Sequence, residues 1–223
     1  CNRAAQGISC QNMCSDMGLW HGMLSYNMVK SPKKVEIIGV SVATGSFSEE
    51  AARTYAAKNG LTSPKIQYLI TVENVLVALE AGSISTGIFP IENSTGGFVI
   101  EALHAMAKHN FVVKKVFAID IHQNILAKKG VSAKQIKRIV SHDQAIKQCR
   151  VYLKGMWPSV EVAEYPDTAQ AAADVASGTL PASTAVIASL AAARAYKLQV
   201  LGKAIQDLKD NETTFVVAKK RQV

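Results

Sequence analysis

Residues 90–94 read Pro-Ile-Glu-Asn-Ser, and Thr95, Gly96 and Gly97 follow. A carboxylate, a carboxamide and two hydroxyls therefore stand together, after the apolar Ile88-Phe89 and before Phe98-Val99-Ile100. The pattern predicts a strand-to-helix turn, where free N–H groups and the helix dipole can hold a small anion. An ordinary capped turn uses the same residue types, so spacing alone leaves both readings open. Polar groups recur after other expected strands: Thr44-Gly45-Ser46, Ser141-His142-Asp143-Gln144 and Asp167-Thr168. Each has a local explanation as a helix cap, but their recurrence at strand ends points to one shared cleft. A site of hydroxyls, amides and one carboxylate suits substrate positioning and proton transfer.

Other chemistries lack their signatures. The chain has no G-x-S-x-G, H-E-x-x-H, Walker or G-x-G-x-x-G sequence. His104 and His109 are five apart and fall on different faces of a helix. His122 and His142 read as structural. Cys1, Cys10 and Cys14 match no strong metal spacing, although His21 completes a zinc set on paper. Cys149 stands alone in a helical pattern and reads as a small buried hydrophobe. Neither a metal nor a cofactor is expected.

The elements that must position these groups alternate. With 223 residues and a 48% hydrophobic fraction, the chain can form one large or two small cored domains. Residues 1–33 show no period and are expected to be an extension outside the fold, disordered or foreign to the natural chain. From Val35 onward the order βαβαβα, a long extended passage, then βαβαβαβ predicts an α/β protein of two lobes with largely parallel sheets. Ser46-x-x-Glu49, Thr71 and Ser141-x-x-Gln144 are expected to open helices, and another helix is expected from about Gly97 to Lys108. Lobe 1 is expected at 34–112 and 206–220, and lobe 2 at 113–205. The net charge is +8, but its lysines and arginines are dispersed and not interleaved with aromatics. Nucleic-acid binding is therefore not expected, and an anionic small molecule suits the charge. No apolar run is long enough to cross a bilayer.

Five segments resemble the signatures of the prephenate dehydratase family, in that family's order. They are Gly45-Ser46-Phe47-Ser48 with Ala51-Ala52, then Gly87-Ile-Phe-Pro-Ile-Glu-Asn-Ser94, then Ser141-His142-x-Gln144-Ala145-x-x-Gln148-Cys149. Asp167-Thr168-Ala169-x-Ala171-Ala172 and Ile205-x-Asp207-x-x-x-Asn211-x-Thr213-x-Phe215 complete the set. The resemblance covers the catalytic domain, at about residues 34–220. It includes neither the regulatory domain usually fused to the family nor, within 1–33, a chorismate mutase. It implies a two-lobed fold like type II periplasmic binding proteins, with an interlobe cleft. It implies a cytoplasmic lyase, without cofactor, that converts prephenate to phenylpyruvate in phenylalanine biosynthesis, and a homodimer. It also implies site residues. Thr213, Glu92, Asn93 and Ser94 would be catalytic. Ser46, Thr95, Ser141, Gln144, Gln148, Thr168, Ala169 and Phe215 would bind substrate.

One position departs from the family pattern: Thr213-Thr214-Phe215 stands where the family has Thr-Arg-Phe. Thr cannot supply an Arg's charge or fork. The alternatives are a non-catalytic ligand-binding or regulatory homologue, an arogenate dehydratase and a prephenate decarboxylase. Cys1 with a two-lobed fold would also suit a lipid-anchored solute-binding protein.

Overall fold

The computed structural model describes residues 35–222. The expectations placed on 1–33, including those for Cys1, Cys10, Cys14 and His21, lie outside them.

The first lobe starts with β1 (Ile37–Val40), α1 (Phe47–Lys58), β2 (Lys65–Tyr68) and α2 (Val72–Ala81). The caps follow the sequence signals. Ser46 Oγ accepts from Glu49 N, and Thr71 Oγ1 accepts from Asn74 N. Gly82, at φ 76°, ends α2 in the left-handed region. The α2 stripe Val72, Val75, Leu76 and Leu79 is fully buried against Phe89 and Val216. β3 (Thr86–Asn93), β4 (Gly97–Phe98), α3 (Ile100–Lys108) and β5 (Phe111–Asp120) complete the lobe's first passage.

The second lobe holds β6 (Asn124–Ala127), β7 (Arg138–Ser141), α4 (Asp143–Gln148), α5 (Arg150–Met156) and β8 (Glu161–Glu164). It continues with α6 (Thr168–Ser177), β9 (Thr184–Ala188), α7 (Leu190–Ala195) and β10 (Gln199–Gly202). The chain then returns to the first lobe as β11 (Glu212–Lys220), antiparallel to both β3 and β5. The sheet orders are β2-β1-β3-β11-β5, with β4 on β3, and β10-β6-β9-β7-β8. Helices cover both faces of each sheet. The α/β, two-lobed architecture is the one expected. Its sheets are mixed and not largely parallel, because β11, the β6 pairings and the β3–β4 reversal run antiparallel.

Three local expectations are corrected. The opening motif is not a strand-to-helix turn. β3 runs on to Asn93 and folds back through β4, pairing Asn93 with Gly97. Asn93 Oδ1 accepts from Thr95 N and Gly96 N, and Gly97 at φ 77° completes the reversal. The helix starts only at Ile100, so its N-terminus does not serve Asn93 or Ser94. Ser141 is not a helix cap; it ends β7, and His142 caps α4. Lastly, 111–120 belongs to the first sheet through its ladder with β11, so the lobe boundary lies near 121 and not at 113. Cys149 is buried, and burial, with Asp207 a smaller cause, pushes its thiol up to about 12.

Candidate active site

The two lobes meet where strands end. Asn93 at the end of β3 and Thr213 near the start of β11 are Cα partners in the ladder. α4 of the second lobe presents Gln144 and Gln148, four apart and therefore on one helical face. The crossing segments bind to each other: Ile121 N donates to Asn211 O at 2.7 Å, and Ile205 N to Gln123 O at 2.8 Å. A cavity of about 400 Å³ opens here. Asn93, Gln123, His142, Gln144, Gln148, Thr168 and Thr213 provide its polar lining, with Phe47, Phe98, Val99 and Ile121 as apolar walls. This size and mixture suit a small organic ligand.

Four side chains close a hydrogen-bonded ring beside the cavity. Asn93 Nδ2 donates to Asn211 Oδ1 at 3.0 Å, and Asn211 Nδ2 donates to Gln148 Oε1 at 3.0 Å. Gln148 Nε2 donates to Thr95 Oγ1 at 2.6 Å, and the Thr95 hydroxyl donates to Asn93 Oδ1 at 2.8 Å. Within the ring each member donates once and accepts once, so the ring has one direction and its bonds polarise one another. It also ties the first lobe to α4.

The ring decides what Thr213 can do. Asn93 Nδ2 also donates to Thr213 Oγ1 at 2.9 Å. The Thr213 oxygen is thereby an acceptor within the protein, and its own proton remains available to a ligand. Two other residues of the lining have unused hydrogen-bonding capacity. Gln123 donates through Nε2 to Gln148 Oε1, while its buried Oε1 has no protein donor. His142 Nδ1 accepts from Gln144 N at 3.2 Å, which puts the neutral ring's proton on Nε2.

Of the twelve site residues expected from sequence, Asn93, Thr213, Gln144, Gln148 and Thr168 line the cavity, and Thr95 joins the ring. Six are not brought to it. Glu92 is exposed and pairs with Thr214, on the face of the strand opposite Asn93. The Ser94 hydroxyl binds Asp210 O and Glu212 N, which fastens the end of β3 to β11. Ser46 is buried as the α1 cap. Ser141 is fully buried and donates to Ile187 O, with Thr168 Oγ1 at 3.3 Å. Ala169 is buried in the first turn of α6, and Phe215 is core, stacked on Phe117. Sequence reasoning missed Asn211, Gln123 and His142 as site groups. Membership of a recognised segment was the available signal for two of them: Asn211 stands within 205–215 and His142 within 141–149.

Among the described residues no group of three or more His, Cys, Asp or Glu could hold a metal ion, and no helix is long and apolar enough to cross a membrane.

A family model described as prephenate dehydratase matches residues 38–223. A bifunctional chorismate mutase/prephenate dehydratase of Pseudomonas aeruginosa is 31% identical over 201 residues, which cover 90% of this chain and 52% of that protein. An arogenate dehydratase 2 of Petunia hybrida is 35% identical over 173 residues, covering 78% of this chain and 42% of that protein. Among solved structures, a prephenate dehydratase of Arthrobacter aurescens in complex with L-Phe is 25% identical with a TM-score of 0.75. That likeness covers 84% of this chain and 61% of the other. The chain thus spans about half the length of the curated bifunctional relatives it matches.

Proposed function

The chain belongs to the prephenate dehydratase family, and from that premise we propose that it converts prephenate to phenylpyruvate, a carbon–oxygen lyase step of phenylalanine biosynthesis. With this reading go a cytoplasmic location and a homodimer. The electron pair of the bond to the ring carboxylate moves into the ring as CO2 leaves. The pair of the carbon–oxygen bond at the far end of the ring leaves with the hydroxyl, which takes up one proton to become water. Aromatisation drives both departures, so what the protein must add is orientation and relief of charge on the departing oxygen.

The observation that carries the reading is the Thr213 hydroxyl. It accepts from Asn93 and keeps its proton free at the wall of a cavity of about 400 Å³. A threonine hydroxyl is too weak an acid to surrender that proton. It acts as a donor to the departing oxygen, strengthened by the directional ring behind it, and the completing proton comes from solvent. Glu92 has no part as an acid here, because its side chain stands on the other face of β3.

The test is turnover of prephenate by the purified chain. Phenylpyruvate should appear above the spontaneous background, and Thr213→Val should lower kcat about 100-fold, the scale of removing one preorganised donor. An unchanged rate in the Val variant, or no product from the native chain, overturns the reading. A second reading is favoured by the Petunia relative named for arogenate. It is checked by running both substrates, phenylalanine being the product from arogenate. A non-catalytic homologue would bind prephenate without turnover.

A further inference from the structure

We infer that Lys147 receives one carboxylate of the substrate at the rim of the cleft, an inference that rests on the dehydratase reading of the same site. The main cavity is lined by amides, hydroxyls, one imidazole and apolar groups, with no Asp, Glu, Lys or Arg. A dianion entering it exchanges hydration for neutral dipoles only, and burying charge without a counter-charge is costly. A neighbouring cavity of about 380 Å³ shares Gln144 and Gln148 with the first and is also bordered by Lys147 and Asp207. The Asp207 carboxylate is committed elsewhere: its two oxygens accept from Val151 N and Tyr152 N at 2.8 and 2.9 Å, at the start of α5. Lys147 is the cation that remains.

Its present partner is weak. Lys147 Nζ lies 2.6 Å from Asp143 Oδ2, one turn earlier on α4, and both side chains are exposed at 67% and 38%. Exposed pairs of this kind contribute little and exchange readily. Thr214 does not fill the role, since it lies on the face of β11 opposite Thr213 and carries no charge. Prephenate holds its hydroxyl and its carboxylates at opposite ends of the ring. With the hydroxyl at Thr213, one carboxylate is assigned to the side of the cleft shared by the two cavities, where Lys147 follows Gln144 by three residues on α4.

The test measures KM, kcat and equilibrium binding of prephenate for the whole chain and for Lys147→Gln, Lys147→Arg and Asp143→Asn. Lys147→Gln should raise KM and Kd about tenfold with kcat within about twofold, as for loss of a charge-assisted contact made in ground and transition states alike. Lys147→Arg should restore most of the affinity. Asp143→Asn should lower KM about twofold by freeing the ammonium, and that gain should vanish when Lys147 is Gln. High salt should weaken binding in the native chain more than in Lys147→Gln. Native turnover together with an unchanged KM in Lys147→Gln overturns the inference alone, as does an equal loss in Lys147→Arg. A native chain that neither binds nor converts prephenate overturns the inference and the reading beneath it.

Discussion

The lobes touch along two seams that differ in kind. The polar seam joins Asn93, Thr95 and Asn211 to Gln148 through side-chain hydrogen bonds beside the cavity. The tight seam joins the turn after β1 to α7 through side-chain bonds to backbone carbonyls and a close backbone approach. Ser189 Oγ donates to Gly45 O at 2.7 Å, and Tyr196 OH donates to Thr44 O at 3.1 Å. A Cβ built on Gly45 would stand 2.9 Å from Ala192 Cα. Side-chain bonds can be traded for a ligand's, whereas close backbone approach cannot. Chemistry is therefore expected at the first seam and cohesion of the lobes at the second. Substitutions should separate the two.

The largest effect is expected at the hub of the polar seam. The two Nδ2 protons of Asn93 are shared among Thr213 Oγ1, Asn211 Oδ1 and Glu212 O, and its Oδ1 accepts from Thr95 and Gly96. Asn93→Ala should lower kcat/KM for prephenate about 1,000-fold, because it removes the donor that orients Thr213 and opens the ring. Asn211→Asp is the sharper variant: a carboxylate keeps the shape and still accepts from Asn93, but cannot donate to Gln148 Oε1. A loss of at least tenfold is expected. Full activity in Asn211→Asp would show that the ring's direction does not matter.

The tight seam should break differently. Gly45 sits at φ 83°, which costs an L-residue roughly 1–2 kcal/mol, and overlap with α7 adds about as much. Gly45→Ala should destabilise the chain by about 3 kcal/mol in denaturant unfolding. Below the new melting temperature kcat should stay within about threefold of native. A large fall in kcat with unchanged stability would reverse the assignment of the two seams.

The same contrast explains what could be read from sequence. The caps at Ser46 and Thr71 and the α2 stripe were legible because helix starts and periodic faces are local. So were Asn93, Thr213 and Gln148, which lie within recognisable segments. Glu92 was misplaced because the sequence does not tell where β3 ends. Carrying the strand to Asn93 puts Glu92 and Asn93 on opposite faces. The lobe boundary failed at β5 for a non-local reason, since its partner β11 lies about a hundred residues away. Ser46, Ser141 and Phe215 sit within the expected segments, but each is spent inside the fold, as a cap, a buried hydrogen bond and a core ring.

His142 tests the smaller claims of the polar seam. Its place in the sequence suggests a structural residue, and as the cap of α4 it is one, yet its ring also borders the cavity. His142→Asn keeps a capping side chain while removing the ring N–H. A loss in kcat/KM of about tenfold with little change in stability is expected; no loss would confine His142 to the cap.

Glu49 supplies the finest separation, through pH. Burial alone would raise its carboxyl. The Gly45 N–H and the Arg53 guanidinium, each at 2.8 Å, outweigh that and hold it below the usual carboxylate range. Glu50 beside it moves the other way, raised by burial and only partly offset by Arg194 and His122. A carboxyl depressed by folding contributes stability above its unfolded value, and the contribution fades as pH falls through the folded value. The native chain should therefore exceed Glu49→Gln in stability by about 1 kcal/mol at neutral pH. That difference should shrink below about pH 4.5. Because Glu49 bonds the turn of the tight seam and not the ring, kcat at neutral pH should be the same in both. A stability difference that does not change with pH would mean that the charge on Glu49 contributes nothing to holding Gly45 against α7.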